Sequence, residues 1–210
     1  MINTLLKLGF PFILAASGAP TTEALSTLID KVDNSDKGLI CRSWVEQNAI
    51  LQHENLGWFL THGGWNSISE SLSQGVPMII WPMAMSDQPM NAARLSTGEK
   101  PVAFELMQVS TIPICLTSIF YFFDCHHCIL RTPIKIRQGH ARAPALRGGA
   151  PIIGDDANVE QEFEDIFTKA RGPEGENLRA NAIEMAAQLL VERNGPAKKV
   201  IAGLASGIGY

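Results

Sequence analysis

Residues 56–82 read LGWFLTHGGWNSISESLSQGVPMIIWP, and this stretch decides the fold. A short apolar run, Leu56–Leu60, leads through a His-Gly-Gly turn into a polar segment, Gly64–Gln74. That segment stops before Gly75, a residue typical of helix C-termini. A second apolar run, Val76–Trp81, ends at a proline. The pattern predicts a strand, a helix and another strand, which is the repeating unit of a parallel sheet.

The same alternation extends to both sides of this stretch. Apolar spacing predicts the end of a helix at Leu5 and Leu6. It also predicts strands at Phe10–Ala16, Gly38–Cys41 and Val102–Leu106, and helices at Pro20–Val32, Gln47–His53 and Asp87–Ser96. Two amphipathic helices follow, with predicted buried faces of Val159, Phe163, Ile166 and Phe167 in Asn158–Ala170, and of Leu178, Ala182, Met185, Ala186 and Leu189 in Asn177–Arg193. We therefore expect an α/β fold with a doubly wound parallel sheet.

Composition excludes several classes of function. The 210 residues are 46% hydrophobic and 18% charged, which is ordinary for a globular protein. A net charge of −4 argues against a nucleic-acid surface, and the four cysteines are too unevenly placed for a secreted disulfide framework. No apolar run reaches the roughly 18 residues of a membrane span. We expect a cytoplasmic protein without a membrane span or a nucleic-acid partner.

The turn after the first apolar run has the properties of an anion site. Gly63 and Gly64 allow close backbone approach, and the free N–H groups of the helix start favour negative charge. His62, Asn66 and Ser67 add side-chain donors. The helix dipole alone contributes about 0.3–1 kcal/mol, so these contacts must act together.

Residues 44–88, WVEQNAILQHENLGWFLTHGGWNSISESLSQGVPMIIWPMAMSDQ, closely resemble the donor-sugar signature of UDP-dependent glycosyltransferases. The resemblance implies the C-terminal, Rossmann-like half of a GT-B fold, with a UDP-sugar as donor substrate, no cofactor and no metal. It places Trp44 against the uracil and the Val45 backbone at the base edge. Gln47 and Glu70 would bind the ribose hydroxyls.

The resemblance also covers the remaining parts of the donor. The diphosphate would lie against His62, Gly63, Gly64, Asn66 and Ser67, and the hexose against Trp65, Asp87 and Gln88. A Gln at the last position is associated with glucose donors in the family. The chain departs from the common plant pattern at Gly64, at Glu46 and in a longer loop before Asp87, which bears on sugar identity.

Simpler interpretations exist for single residues of this set. Trp44 could pack, His62 could be structural, and Asp87 could cap the helix that it precedes. Asn66 and Ser67 could also be N-capping residues. The donor-site interpretation is favoured because all these positions occur in one order and spacing.

The resemblance leaves catalysis unaccounted for. In the family, a His–Asp pair in an N-terminal domain supplies the base, and that domain holds the small lipophilic acceptor. Because the signature begins about 40 residues from Met1, no catalytic residue is assigned here, and the first, central strand of the donor domain is expected to be missing. In a 3-2-1-4-5-6 sheet its absence leaves two unpaired inner edges. We expect no sugar transfer by this chain alone, since a general base contributes about 10²–10⁴-fold.

Residues 109–135 differ in composition from their surroundings, with three of the four cysteines and no glycine. A translated intron would explain this segment, which divides the predicted donor domain into residues 1–108 and 136–210. A zinc site at Cys125-His126-His127-Cys128, helped by Cys115 or His140, is disfavoured because adjacent histidines converge poorly on one ion. A hydrophobic docking loop is the third interpretation.

Two functions therefore stay open. The first is the donor-binding half of a UDP-hexosyltransferase, with UDP-glucose expected as the donor. The second is a non-catalytic remnant or gene-model fragment that binds UDP or a partner. NAD binding is disfavoured because no G-x-G-x-x-G follows a strand, and a serine hydrolase because no G-x-S-x-G is present.

Overall fold

A computed structural model of the chain describes residues 1–17, 23–82, 87–108 and 156–193. The start of the predicted helix Pro20–Val32 and the loop before Asp87 lie outside these residues. So do the segment 109–135 and the cysteine–histidine cluster within it, together with His140. The division of the chain at residues 108 and 136 stays a prediction.

The described residues alternate between helices and strands along most of the chain. The elements are α1 (Ile2–Lys7), β1 (Phe12–Ala15), α2 (Glu23–Asp33), β2 (Gly38–Cys41), α3 (Gln47–Leu51), β3 (Phe59–Thr61), α4 (Trp65–Gln74), β4 (Met78–Ile80), α5 (Gln88–Ser96), β5 (Ala103–Glu105), α6 (Asp156–Ala170) and α7 (Pro173–Arg193). All the strand pairings are parallel within this part of the chain. The predicted α/β class with parallel strands is confirmed.

The strands form two sheets, one with the order β1-β2 and the other with the order β3-β4-β5. Phe12 pairs with Gly38 in the first sheet, and Phe59 pairs with Met78 in the second. Among the residues that the structure describes, no strand lies paired between β1 and β3. The expected absence of a central strand stays a prediction.

Several element boundaries differ from the sequence prediction. β4 begins at Met78 because Pro77 has no N–H to donate to a ladder, although its carbonyl accepts a bond of 3.1 Å from the Phe59 amide. α7 begins at Pro173, four residues before the predicted start. Proline fits the first position of a helix, and Glu174 and Glu176 favour the same turn.

The core joins both sheets in one apolar cluster, with Leu14, Ile68, Met78 and Ile80 fully buried. The predicted buried face of α6 is confirmed at all four positions. In α7 the prediction is wrong for Leu189, which is 36% exposed. α7 packs on α4, and Gly75, which ends α4, faces Ala182, Ile183 and Ala186. Leu189 lies one turn beyond that contact.

α6 connects the two sheets. The ring of Phe167 lies 5.5 Å from that of Phe10, just before β1, and the ring of Phe163 lies 5.0 Å from that of Trp81, just after β4. Arg171 stacks on Phe10 and donates to the carbonyls of Leu8 and Gly9. α6 therefore links the two sheets through aromatic contacts with residues that flank β1 and β4.

Candidate functional site

The turn between β3 and α4 places two glycines where a side chain would not fit. Gly63 has a φ of +85°, and a Cβ there would lie 2.6 Å from Cγ2 of Ile80. Gly64 is the N-cap of α4, and a Cβ there would lie 2.5 Å from Nε2 of His62. No side chain therefore covers the backbone at the N-terminus of this helix. This point lies at the carboxyl edge of a parallel sheet, where such folds bind ligands.

His62 follows β3 directly and is largely enclosed by the protein. Burial lowers its pKa below the usual value, and the negative charge of Asp87 opposes that shift in part. The imidazole is therefore neutral at pH 7. A neutral ring donates one hydrogen bond and accepts one, so it can contact a phosphate oxygen without first carrying a charge.

Asp87 and Gln88 lie against the glycine turn, although the sequence separates them from it by more than 20 residues. The link is Asn91, whose Nδ2 donates to the carbonyl of Gly63 and to Oδ2 of Asp87, both at 3.0 Å. Asp87 stands at the N-cap of α5 but makes no side-chain capping bond, so the capping interpretation is not supported. Sequence reasoning missed Asn91, although its place four residues after Asp87 on a helix was a signal.

The first turn of α4 contains the next three predicted residues. Trp65 is 63% exposed, Asn66 is exposed, and Ser67 is 2% exposed. The cap position belongs to Gly64, which has no side chain, so Asn66 and Ser67 are not N-capping residues. Trp65 presents an open aromatic face beside the turn.

The predicted ribose residues meet one turn further along α4. The Nε2 atom of Gln47, at the start of α3, donates to the carboxylate of Glu70. Gln47 is only 7% exposed, and its Oε1 atom is buried without a hydrogen-bond partner among the described residues. A buried acceptor without a partner costs free energy, so this oxygen is suited to accept a hydrogen bond from a hydroxyl group of a ligand.

Trp44 and Val45 lie just before α3. Trp44 is 48% exposed, and its Nε1 donates to Oε1 of Glu46 at 3.3 Å. Val45 is half-buried against the core. Glu46 thus holds the edge of the indole through this bond. An open cavity of about 320 Å³ lies between α3 and α4, lined by Asn48, Gln52, Ser69, Glu70, Ser73 and Gln74.

Two negative findings concern the part of the chain that the structure describes. Within the ranges given above, no three His, Cys, Asp or Glu side chains are placed to bind a metal ion. No helix in those ranges has the length and apolar character to cross a bilayer.

A parallel α/β domain with a glycine turn and a helix N-terminus at its carboxyl edge belongs to the Rossmann-like class of folds. Residues 26–115 match the family model for UDP-glucoronosyl and UDP-glucosyl transferase. Over residues 26–115 the chain is therefore similar in sequence to the UDP-glycosyltransferases.

Curated relatives match the signature region. UDP-glycosyltransferase 72C1 of Arabidopsis thaliana is 48% identical over 71 residues, which are 34% of this chain and 15% of that protein. Cyanidin-3-O-glucoside 2-O-glucuronosyltransferase of Bellis perennis is 47% identical over 76 residues, 36% of this chain and 17% of that protein. The match therefore spans less than a fifth of either relative.

Solved structures share the fold over nearly the whole chain. UGT2 of Phytolacca americana, complexed with UDP-2fluoro-glucose and pterostilbene, has a TM-score of 0.58 at 24% identity. That alignment covers 98% of this chain and 37% of UGT2. Os79 of O. sativa in complex with UDP has a TM-score of 0.61 at 20% identity, covering 98% of this chain and 36% of Os79. These likenesses establish the fold as one half of a GT-B arrangement.

Proposed function

We propose that this chain binds a UDP-hexose, with UDP-glucose as the preferred donor, and forms the donor-binding part of an inverting glycosyl transfer to a small lipophilic acceptor. The observation that carries the proposal is that Asn91 bonds both the Gly63 carbonyl and Asp87, and that Gln88 lies beside Gly63. This arrangement brings a carboxylate and an amide, groups that bind sugar hydroxyls, to a helix N-terminus that favours a diphosphate. Relatives with this signature are named as glucosyl and glucuronosyl transferases, which supports the same substrate class.

Each part of the donor has a matching group on the protein. Uracil stacks on Trp44, with the Val45 backbone at its edge, and such stacking is worth about 1–3 kcal/mol. The ribose hydroxyls donate to Glu70 and to the unpaired Oε1 of Gln47. A solved structure with this fold holds UDP-2fluoro-glucose, which supports a nucleotide sugar as the ligand.

The diphosphate and the sugar occupy the carboxyl edge of the sheet. Amides at the start of α4, the side chains of Asn66 and Ser67, and His62 contact the phosphates, while Trp65, Asp87 and Gln88 surround the hexose. The Asp87 carboxylate accepts from neutral hydroxyls and repels a second carboxylate. A neutral hexose is therefore favoured over a uronic acid.

Calorimetric titration with UDP, UDP-glucose and UDP-glucuronate tests this assignment. We expect saturable binding of UDP, and tighter binding of UDP-glucose than of UDP-glucuronate. Glu70→Ala should weaken UDP binding about 10- to 100-fold, since a hydrogen bond to a charged group is worth about 1.5–3 kcal/mol. Glu176→Ala, which removes an exposed carboxylate of α7 outside this cavity, is the matched control.

Two outcomes would count against the proposal. Absence of any heat or chemical-shift change with millimolar UDP would exclude a working donor site. Equal loss of affinity in the Glu70 and Glu176 variants would show that α4 does not present Glu70 to the ribose.

A further inference from the structure

Asn91, on the first turns of α5, has a side-chain nitrogen whose donors are both used within the protein. Its Nδ2 atom donates to the carbonyl of Gly63 and to Oδ2 of Asp87, each at 3.0 Å. A side-chain amide nitrogen carries two hydrogens, and these two bonds use both of them. An effect of this donor on ligand binding must therefore pass through the two groups that it holds.

The first of these groups is the Asp87 carboxylate. The backbone N–H of Asn91 also donates to the carbonyl of Asp87, at 2.8 Å, so both the backbone and the side chain of Asp87 are bonded to Asn91. The Asp87 side chain makes no capping bond to the start of α5. The bond from Asn91 thus ties this carboxylate to its own helix. A carboxylate accepts about four hydrogen bonds in all, so the bond at Oδ2 leaves it able to accept from hydroxyl groups.

The second group is the backbone of the glycine turn. The N–H of Gly63 donates to Oγ1 of Thr61 at 3.3 Å, and its carbonyl accepts from Asn91. A Cβ on Gly63 would lie 3.5 Å from the carbonyl oxygen of Gln88 and 3.9 Å from its Cβ, so the start of α5 lies close behind the turn. One nitrogen atom of Asn91 therefore bridges this turn and the Asp87 carboxylate.

We infer that Asn91 is a positioning residue for sugar recognition: it holds the Asp87 carboxylate against the glycine turn and thereby sets the affinity for the hexose without touching it. The inference rests on the proposed function, and it concerns the hexose part of a nucleoside diphosphate sugar. Without the bond from Asn91, the Asp87 side chain is free to change rotamer, and a sugar hydroxyl has to immobilise it at an entropic cost.

Calorimetric titration of Asn91→Ala with UDP and with UDP-glucose tests this role. The measured quantity is the ratio of the two dissociation constants, because UDP lacks the hexose and the ratio cancels changes in the nucleotide part of the site. We expect the affinity for UDP-glucose to fall about tenfold more than the affinity for UDP, the loss typical of one hydrogen bond. A distorted turn or a partly unfolded chain would weaken both ligands and leave the ratio unchanged.

Asn181→Ala is the matched control. Asn181 is a half-buried asparagine of α7, and its Nδ2 donates to the carbonyl of Pro101 at 2.9 Å. This variant loses the same kind of side-chain bond to the backbone at a point outside the candidate site. We expect the ratio of dissociation constants to stay at the wild-type value. An equal change of the ratio in the Asn91 and Asn181 variants would overturn the inference.

A double-mutant cycle separates positioning from direct contact with the sugar. If Asn91 acts through Asp87, adding Asn91→Ala to Asp87→Ala should change the ratio no further, since the carboxylate to be positioned is already gone. Effects that multiply in the double variant would mean that Asn91 contacts the hexose itself, which contradicts a positioning role.

The wild-type titration distinguishes the failure of this inference from that of the proposed function. A wild-type chain that binds no UDP-glucose would refute the proposed donor site, and the inference would fall with it. A wild-type chain that binds both ligands, with an unchanged ratio in Asn91→Ala, would overturn the inference alone and leave the proposed function standing.

Discussion

The protonation state of the His62 imidazole depends on its surroundings. Its ring is largely enclosed beside the glycine turn, which lowers its pKa, and the charge of Asp87 opposes that shift in part. A lowered folded-state pKa means that protonation opposes folding. The corresponding stability is present above the unfolded value of 6.5 and is lost as pH falls through the folded value.

Binding of UDP should raise the pKa of His62, because the two negative phosphates favour the charged imidazolium. A titration of the imidazole signals by nuclear magnetic resonance, with and without saturating UDP, measures the change. Asp87→Asn should lower the same pKa in the free chain, since it removes the charge that favours protonation. A pKa that does not respond to UDP would place the diphosphate away from the ring.

At this scale the sequence predicted which residues surround the glycine turn but not how they are connected. Asp87 and Gln88 were assigned to the site by resemblance, and the structure brings them there through Asn91. That bond joins α5 to the turn after β3, and a contact between distant segments leaves no trace in local spacing. The lowered pKa of His62 likewise depends on burial that only the folded chain provides.

α4 is the element on which most of the site is built, and its two ends are set by glycines. Gly64 starts the helix, and Gly75 ends it in the left-handed region at a φ of +69°. The sequence predicted this helix well because a glycine after a polar, helical segment is a strong local signal. The sequence prediction was less accurate for β3 and β4, because hydrogen bonding between neighbouring strands, and not the length of the apolar run, determines where these strands end.

Gly75→Ala should destabilise the protein by more than Gly98→Ala. Both residues have positive φ values, which cost a side chain about 1–2 kcal/mol. Only Gly75 also faces a neighbouring helix, since its Cβ would lie 3.2 Å from Cα of Ile183, whereas a Cβ on Gly98 meets nothing within 4 Å. Urea unfolding of the two variants measures the difference. Equal losses would mean that packing of α4 on α7 adds nothing at this point.

In the molecule as a whole, α6 holds the two sheets together. Phe163 is fully buried against Trp81, and Phe167 packs on both Phe163 and Phe10. Glu162, on the same helix, accepts hydrogen bonds from the amides of Met107 and Gln108. The sequence predicted the apolar face of this helix, but not the surface that it covers, because that depends on contacts across more than 50 residues.

Phe163→Ala and Phe167→Ala should each lower the free energy of unfolding by about 3–5 kcal/mol. Because one helix contacts both sheets, each variant should still unfold in a single transition. Residue-resolved urea titrations of amides in β1 and β4 test this, with Met90→Ala, which is 75% exposed, as the control. Separate midpoints for β1 and β4 would show that the two sheets are independent folding units.

The four tryptophans of the chain all fall between residues 44 and 81. Trp44 and Trp65 are open to solvent at the proposed donor site, while Trp58 and Trp81 are stacked or packed against phenylalanines of the core. The chain therefore carries its own optical reporters in two populations. A soluble collisional quencher should extinguish the emission of the first pair and spare the second, so nucleotide occupancy and core integrity can be followed by fluorescence without attaching a dye.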